Sequence, residues 1–132
     1  MVPFAFLPGE SSFVIHVSQL SPHTSDMLES PAVSLLVAAP DSPETAPQGL
    51  ARITVQGRAG RVTESNPGYV AAREAYLARF PQAADTFELA DFSLFAIRPV
   101  SIRFIGGFAQ AATLTPEAFA AALGEEDKTR RR

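Results

Sequence analysis

The clearest pattern in the chain is an alternation of small or apolar residues with polar residues between Leu50 and Val62. One face of this segment holds Ala51, Ile53, Val55, Gly57 and Ala59, and the other holds Arg52, Thr54, Gln56, Arg58 and Gly60. A period of two residues predicts a β-strand, because successive side chains of a strand point to opposite faces of its sheet. The length of the alternation predicts a central strand over Ala51–Ala59.

Five other segments are short, apolar and bounded by turn residues, as strands are. They are residues 2–7, 13–18, 33–38, 92–97 and 101–105. The first two predict a hairpin across Pro8–Ser11, and the last two are predicted to be separate strands joined at Arg98–Pro99. The segment 33–38 is apolar apart from Ser34, which predicts a buried central strand.

Three short helices are predicted from capping residues and prolines. Their ranges are 21–30, 66–81 and 115–124, and residues 40–48 between the strands predict a surface loop. Helices and strands do not alternate regularly, which favours an antiparallel sheet over a doubly wound parallel one. We therefore expect a mainly β fold in a single domain over residues 1–124, followed by a charged, disordered tail over residues 125–132.

The composition excludes several classes of function. The chain has no cysteine, which excludes disulfides and thiolate metal sites, and two histidines, which argues against a multi-histidine metal site. The net charge of −3 leaves no broad basic face, so we expect no nucleic-acid partner. The longest apolar run, Ala32–Ala39, is too short to cross a membrane, and Met1 is not followed by a leader pattern. We expect a cytoplasmic protein without a membrane partner.

The segment Ser18–Thr24 is the most suggestive candidate for chemistry, because it carries hydroxyls and an imidazole where a strand meets a helix. The first N–H groups of a helix and the positive end of its dipole favour an anion. Ser18, Ser21 and Thr24 are predicted to donate hydrogen bonds to a phosphate, and protonated His23 would add charge. The alternative is that Ser21 only caps the helix and that His23 is exposed.

Other candidates are open to simpler interpretations. Arg52 and Arg58 lie on the polar face of the long strand, which is either a solvated face or the wall of a cleft or subunit interface. The acidic residues Asp85, Glu88 and Asp91 predict a solvated loop. No Gly-x-Ser-x-Gly sequence is present that would indicate a serine nucleophile.

Several short motifs follow one another in a characteristic order. They are Val2–Phe4, Ser18-x-Leu-x-x-His-Thr24, Pro31-x-Val-Ser-Leu-Leu-Val37, Arg52–Ala59, Tyr76–Pro81, Asp91–Phe95 and Phe104–Phe108. This order is similar to that of the pyridoxamine 5′-phosphate oxidase-related split-barrel proteins, and nearest to their haem-utilisation (HugZ-like) branch. The resemblance extends over most of the chain, from residue 2 to residue 114.

The resemblance implies an antiparallel six-stranded split barrel that forms a homodimer, with FMN bound between the subunits. The phosphate of FMN would lie against Ser18–Thr24, which includes Gln19, and Arg52 would approach the cofactor from its strand. Two departures stand out: the family's usual first strand is missing before Val2, and Pro22 stands where the oxidases often carry an arginine. The missing strand is expected to leave an open sheet edge, which a second subunit would cover.

Three functions are compatible with this resemblance. The first is an FMN-dependent oxidoreductase of unknown substrate, in which the flavin carries out the hydride chemistry. The second is a haem-binding protein, which we rank below the flavoprotein because the haem branch uses a C-terminal histidine and none follows His23. The third is a non-enzymatic dimeric barrel that has lost its cofactor site. We predict the first, with FMN as cofactor and a second copy of the chain as partner.

Overall fold

The structure, a computed structural model, describes residues 1–40, 43, 44, 46, 49–107 and 110–130. The strands in these ranges are β1 (Ala5–Leu7), β2 (Ser12–Ser18), β3 (Ala32–Ala38), β4 (Arg52–Val62), β5 (Phe92–Gly107) and β6 (Gln110–Leu114). The helices are α1 (Pro22–Glu29), α2 (Tyr69–Arg79), α3 (Ala84–Phe87) and α4 (Pro116–Arg130), and a 3₁₀ turn, Pro81–Ala83, leads into α3. Much of the predicted loop 40–48 and the last two residues of the predicted tail lie outside the described residues.

The described strands form one sheet in the order β1-β2-β5-β4-β3, with β6 paired to β5. The pairs β1/β2, β2/β5 and β5/β6 are antiparallel. The long alternating segment is β4, and its position between β5 and β3 confirms the prediction of an interior strand. The predicted hairpin is also confirmed, since Ala5 of β1 pairs with Val14 of β2. This mainly antiparallel sheet with a few short helices is the predicted split-barrel fold.

The two strands predicted on either side of Pro99 are a single strand, β5. Its first part, Phe92–Ile97, pairs with β2, and its later part, from Ile102 to Gly107, pairs with β6. Pro99 falls between the two ladders, where a residue without an N–H group costs little. The predicted break was therefore wrong, and β6, which was not predicted, brings the described strands to six.

Two further expectations were also wrong. The strand β3 is the last in the sheet order and has alternating exposure, with Leu36 68% exposed, because a short apolar run does not specify burial on both faces. The helix α4 continues through Gly124 to Arg130. One glycine costs a helix only about 1 kcal/mol, so Gly124 is a weak stop signal. The proposed domain limit at residue 124 stays a prediction.

The described chain divides into two compact units. The first comprises Met1–Val33 with Arg58–Arg98, and the second comprises Ser34–Gly57 with Pro99–Arg132. In the first unit, α2 packs against β1 and β2. The core between them contains Ala5, Val14, Ala72, Tyr76 and Leu94. None of the helices in the described ranges combines the length and hydropathy that a membrane span requires.

The opposite strand face of the first unit holds a second set of buried side chains, because alternation directs odd-numbered residues of β2 away from Val14. This set comprises Phe13, Ile15, Val17, Ser93, Phe95 and Ile97. Ser93 is its polar member: it is 5% exposed, and its hydroxyl has no hydrogen-bond partner among the described residues.

We expect Ser93→Ala to increase the free energy of unfolding by about 1 kcal/mol, because it removes a buried hydroxyl whose desolvation is uncompensated. Ser12→Ala is the matched control, since Ser12 is fully buried and its hydroxyl donates to the carbonyl of Glu10 at 3.1 Å. That variant should lose about 1 kcal/mol. Urea denaturation of both variants measures the difference, and equal destabilisation would contradict the assignment.

Candidate functional site

The predicted anion-binding segment lies in the first unit, where β2 ends at Ser18 and α1 begins at Pro22. Ser21 is the N-terminal capping residue in extended conformation, and proline at the first helical position suits its fixed φ angle. The predicted side-chain cap is not formed, because the Ser21 hydroxyl makes no capping hydrogen bond. Instead, the carbonyl of Ser21 accepts the N–H of Thr24 at 3.1 Å.

Thr24 holds the junction together from inside the protein. It is 2% exposed, and its hydroxyl donates to the carbonyl of Ser18 at 2.6 Å. A hydroxyl has one hydrogen, so in this conformation Thr24 has none left to donate to an anion. Its predicted contact with a phosphate stays a prediction, and that contact would require this hydrogen bond to break.

Three further backbone donors of the segment are also engaged. The N–H of Gln19 donates to the carbonyl of Asp91 at 2.6 Å, and that of Ser21 donates to the carbonyl of Ser18 at 3.1 Å. The N–H of Leu20 donates to Oγ of Ser18, also at 3.1 Å. As an acceptor in that bond, Ser18 keeps its own hydroxyl hydrogen. The side chains available to an anion are therefore the hydroxyls of Ser18 and Ser21 and the exposed side chains of Gln19 and His23.

Arg52 belongs to the second unit, at the first residue of β4. Its side chain is half-buried, and Nη1 donates to the carbonyl of Leu50 at 3.1 Å. The structure thus brings Ser18, Gln19, Ser21, His23 and Thr24 together within one unit. A contact of Arg52 with the same ligand stays a prediction.

A residue that the sequence pattern does not single out, His16, lines a cavity of about 360 Å³ in the first unit. The end of β4, the first residue of α2, the end of α3 and the start of β5 contribute the other walls. Apolar and aromatic lining residues include Val62, Tyr69, Phe87, Leu89 and Phe92. The acidic segment predicted to be a solvated loop folds into α3 and the turn after it, and exposed Glu88 lines the same cavity.

The imidazole of His16 is enclosed by aromatic rings. It stacks on Phe87 with ring centroids 3.8 Å apart and an interplanar angle of 5°. Tyr76 meets it edge-on at 5.8 Å, and Phe92 lies at 5.3 Å. Burial lowers the pKa of His16 from its ordinary value, because the imidazolium is less well solvated there than in water. His16 is therefore neutral at neutral pH.

The hydrogen bonds around Thr86 determine which nitrogen of His16 carries the proton. The Thr86 hydroxyl donates its only hydrogen to the carbonyl of Ala83 at 2.7 Å. The Nδ1 atom of His16, 3.3 Å from the Thr86 oxygen, must therefore be the donor in that contact. The neutral ring then has an unprotonated Nε2, which has no hydrogen-bond partner among the described residues. His16 thus offers a hydrogen-bond acceptor in a partly apolar cavity.

Lowering the pH below about 6.5, the ordinary histidine pKa, is expected to reduce the free energy of unfolding. Since the pKa of His16 is depressed in the folded state, the unfolded chain takes up the proton first as the pH falls. The free energy of unfolding therefore decreases until the pH reaches the pKa of His16 in the folded state. Charged groups on the elements around this ring include Arg73, whose guanidinium lies 5.3 Å from the Phe87 ring centroid, and the cavity residues Arg61, Glu64 and Glu88.

Urea denaturation of the His16→Phe variant across this pH range isolates the contribution of His16 to the free energy of unfolding. That variant should lose part of the pH dependence that the wild type shows. The same slope in the two proteins would contradict the burial of a neutral His16.

Sequence comparison relates this chain to proteins named for haem. It is 40% identical to the non-canonical haem oxygenase HOZ, chloroplastic, of Arabidopsis thaliana. The alignment extends over 111 residues, which are 84% of this chain and 32% of the relative. A haem-binding protein from Mycobacterium smegmatis has a TM-score of 0.79 at 32% identity, covering 91% of this chain and 48% of that one. The chain therefore spans about a third and about half of these two proteins.

A FAD-binding protein from Mesorhizobium loti shares the fold, with a TM-score of 0.58 and 18% identity over 76% of this chain and 68% of that one. Haem-binding and flavin-binding split barrels thus both occur among the structural neighbours, which confirms the resemblance inferred from the order of the motifs. The family model named CREG, beta-barrel matches residues 4–121, the range that contains the six described strands and the Ser18–Thr24 junction. By this match over most of its sequence, the chain belongs to the CREG β-barrel family.

Proposed function

We propose that this chain is a haem-binding split-barrel protein. The observation that carries the proposal is that both compared proteins above 30% identity are named for haem, and their matches extend over 84% and 91% of this chain. The flavin-binding neighbour, at 18% identity, supports the fold alone. The sequence alone ranked the haem-binding protein below the flavoprotein, because no histidine follows His23. The present proposal reverses that order. The proposal is limited to binding, because the chain spans 32% of the relative named for haem oxidation.

The Ser18–Thr24 junction fits the acidic side chains of haem. Haem carries two carboxylates, and the junction offers the Ser18 hydroxyl hydrogen, the uncapped Ser21 hydroxyl and the exposed imidazole of His23. The positive end of the α1 dipole adds to this attraction. We propose that these groups orient the cofactor. Bound haem would supply a redox-active iron, whose properties its axial ligand sets.

The cavity beside His16 fits haem poorly. The carboxylates of Glu64 and Glu88 line it and would repel the acidic side chains of a porphyrin. Its volume of about 360 Å³ is also near the lower end of small-molecule sites, roughly 300–1,000 Å³. We therefore assign no haem contact to this cavity.

FMN is the second candidate, since its phosphate is also an anion that the same hydroxyls could hold, and FMN-dependent oxidation is the activity that this cofactor would support. Titration of the purified chain with haem, followed by its Soret band, and with FMN, followed by flavin fluorescence, separates the two. We expect saturable haem binding and weaker FMN binding. FMN binding without a saturable Soret change would replace the haem proposal with the flavin one.

We also propose that the chain forms a homodimer in which apolar residues of the second unit are covered. Leu36 and Val100 of that unit are 68% and 64% exposed, and exposed apolar groups of this size are typical of interaction surfaces when they cluster. Leu36→Asp is expected to shift the protein from dimer to monomer in sedimentation velocity. Leu28→Asp, at a 60% exposed position of the first unit, is the control. A wild-type monomer at micromolar concentration would contradict the proposal.

A further inference from the structure

The cavity beside His16 carries a combination of groups that the haem proposal does not use. Its ionisable lining residues are Arg61, Glu64, Glu88, Tyr69 and His16. The charged side chains among them are Arg61, Glu64 and Glu88, and one positive with two negative charges leaves a net charge of −1. A cavity with this balance favours a cationic ligand over an anionic one.

Part of the apolar lining is aromatic. Phe92 and Tyr69 contribute to the walls, and the electron-rich face of an aromatic ring attracts a cation. Phe87 also lines the cavity, but it stacks on His16 and has the guanidinium of Arg73 at 5.3 Å from its centroid. The rings of Phe92 and Tyr69 would also pack against a planar apolar ligand.

His16 adds a directional acceptor. Its Nδ1–H is used toward Thr86, and its Nε2 lone pair has no partner among the described residues. A ligand that donates a hydrogen bond would satisfy this atom. A metal ion is a poorer match, because the described residues contain no cluster of three or more histidine and acidic side chains that could hold one.

We propose that this cavity binds a small aromatic amine in its protonated form. The ammonium group would donate to Nε2 of His16 and to the carboxylate of Glu88, and the ring would pack against Phe92 and Tyr69. The volume of about 360 Å³ accommodates a ligand of one ring with a short side chain. This site uses none of the residues assigned to haem, so the two proposals stand or fail separately.

Benzylamine at neutral pH is a suitable probe, with benzyl alcohol and benzoate as neutral and anionic controls of similar size. Binding is followed by the imidazole resonances, because the chain has only two histidines. We expect benzylamine to shift the His16 signals saturably and to bind at least about tenfold more tightly than either control, as a charge-assisted hydrogen bond would allow. The His23 signals should stay unchanged.

Two variants test the assigned contacts. His16→Phe keeps a ring among the aromatic residues but removes Nε2, and it should weaken benzylamine binding about tenfold; this is read from tyrosine and amide resonances. Glu88→Gln removes a charge at an exposed position, so it should fold normally and weaken binding several-fold, even if His16→Phe is unstable. His23→Phe is the matched control and should bind as wild type does.

Equal affinity for benzylamine and benzyl alcohol would overturn the proposal, as would tighter binding of benzoate. Unchanged affinity in Glu88→Gln would also overturn it. Haem binding is measured separately, from the Soret band, and involves other residues. A failure to bind haem therefore leaves the benzylamine results unaffected.

Discussion

Replacement of Phe95 by alanine is expected to reduce the free energy of unfolding by about 3–5 kcal/mol. Phe95 lies in β5, is 1% exposed and pairs with Ile15 of β2. The loss combines the transfer of a large apolar side chain to water with the cavity that it leaves, since close-packed strands collapse only partly around it.

Phe104 provides a matched control on the same strand. It is 36% exposed and pairs with Ala112 of β6, so Phe104→Ala should cost much less than Phe95→Ala. Denaturant titrations of the two variants measure both values under one set of conditions. A loss at Phe95 no greater than the loss at Phe104 would contradict the assignment of Phe95 to the buried core.

The second large effect concerns haem affinity. Removing both hydroxyls of the junction, in Ser18→Ala with Ser21→Ala, is expected to weaken haem binding by about a hundredfold or more, because each hydrogen bond to a charged group contributes about 1.5–3 kcal/mol. Thr24 should not be altered in this test, since its hydroxyl holds the carbonyl of Ser18 and its loss would disturb the fold.

The dissociation constant of haem in the double variant, measured by Soret titration, checks this expectation. Ser25→Ala with Ser30→Ala is a suitable control, because both residues are exposed and lie in α1 or at its C-terminal end. Equal haem affinity in the two double variants would remove the junction from the cofactor site.

Much of the fold could be predicted because its signals are local. The alternation in β4 extends over a whole strand, and one face of a sheet is enough to produce it. The hairpin of β1 and β2 follows from a short turn between two apolar segments. Pro99, however, breaks a strand only where a partner strand needs its N–H group. In β5 that depends on where the ladder with β2, which is distant in sequence, ends and where the ladder with β6 begins.

The candidate sites differ in the same way. The Ser18–Thr24 junction could be identified because its hydroxyls and the start of its helix are adjacent in sequence. His16 could not, because its environment is formed by Thr86 and Phe87, which lie about 70 residues further along the chain. The available signal was that His16 shares a strand face with buried Val14, although alternation alone does not reveal that α2 covers this face.

The visible absorption spectrum of the freshly purified chain, produced in cells supplied with both haem and riboflavin, tests the central claim most directly. A cofactor retained through purification reports what the protein selects when both are present. The haem proposal predicts a Soret band that is lost together with affinity in the Ser18→Ala, Ser21→Ala variant. A flavin spectrum without a Soret band, or a colourless protein that binds no added haem, would contradict it.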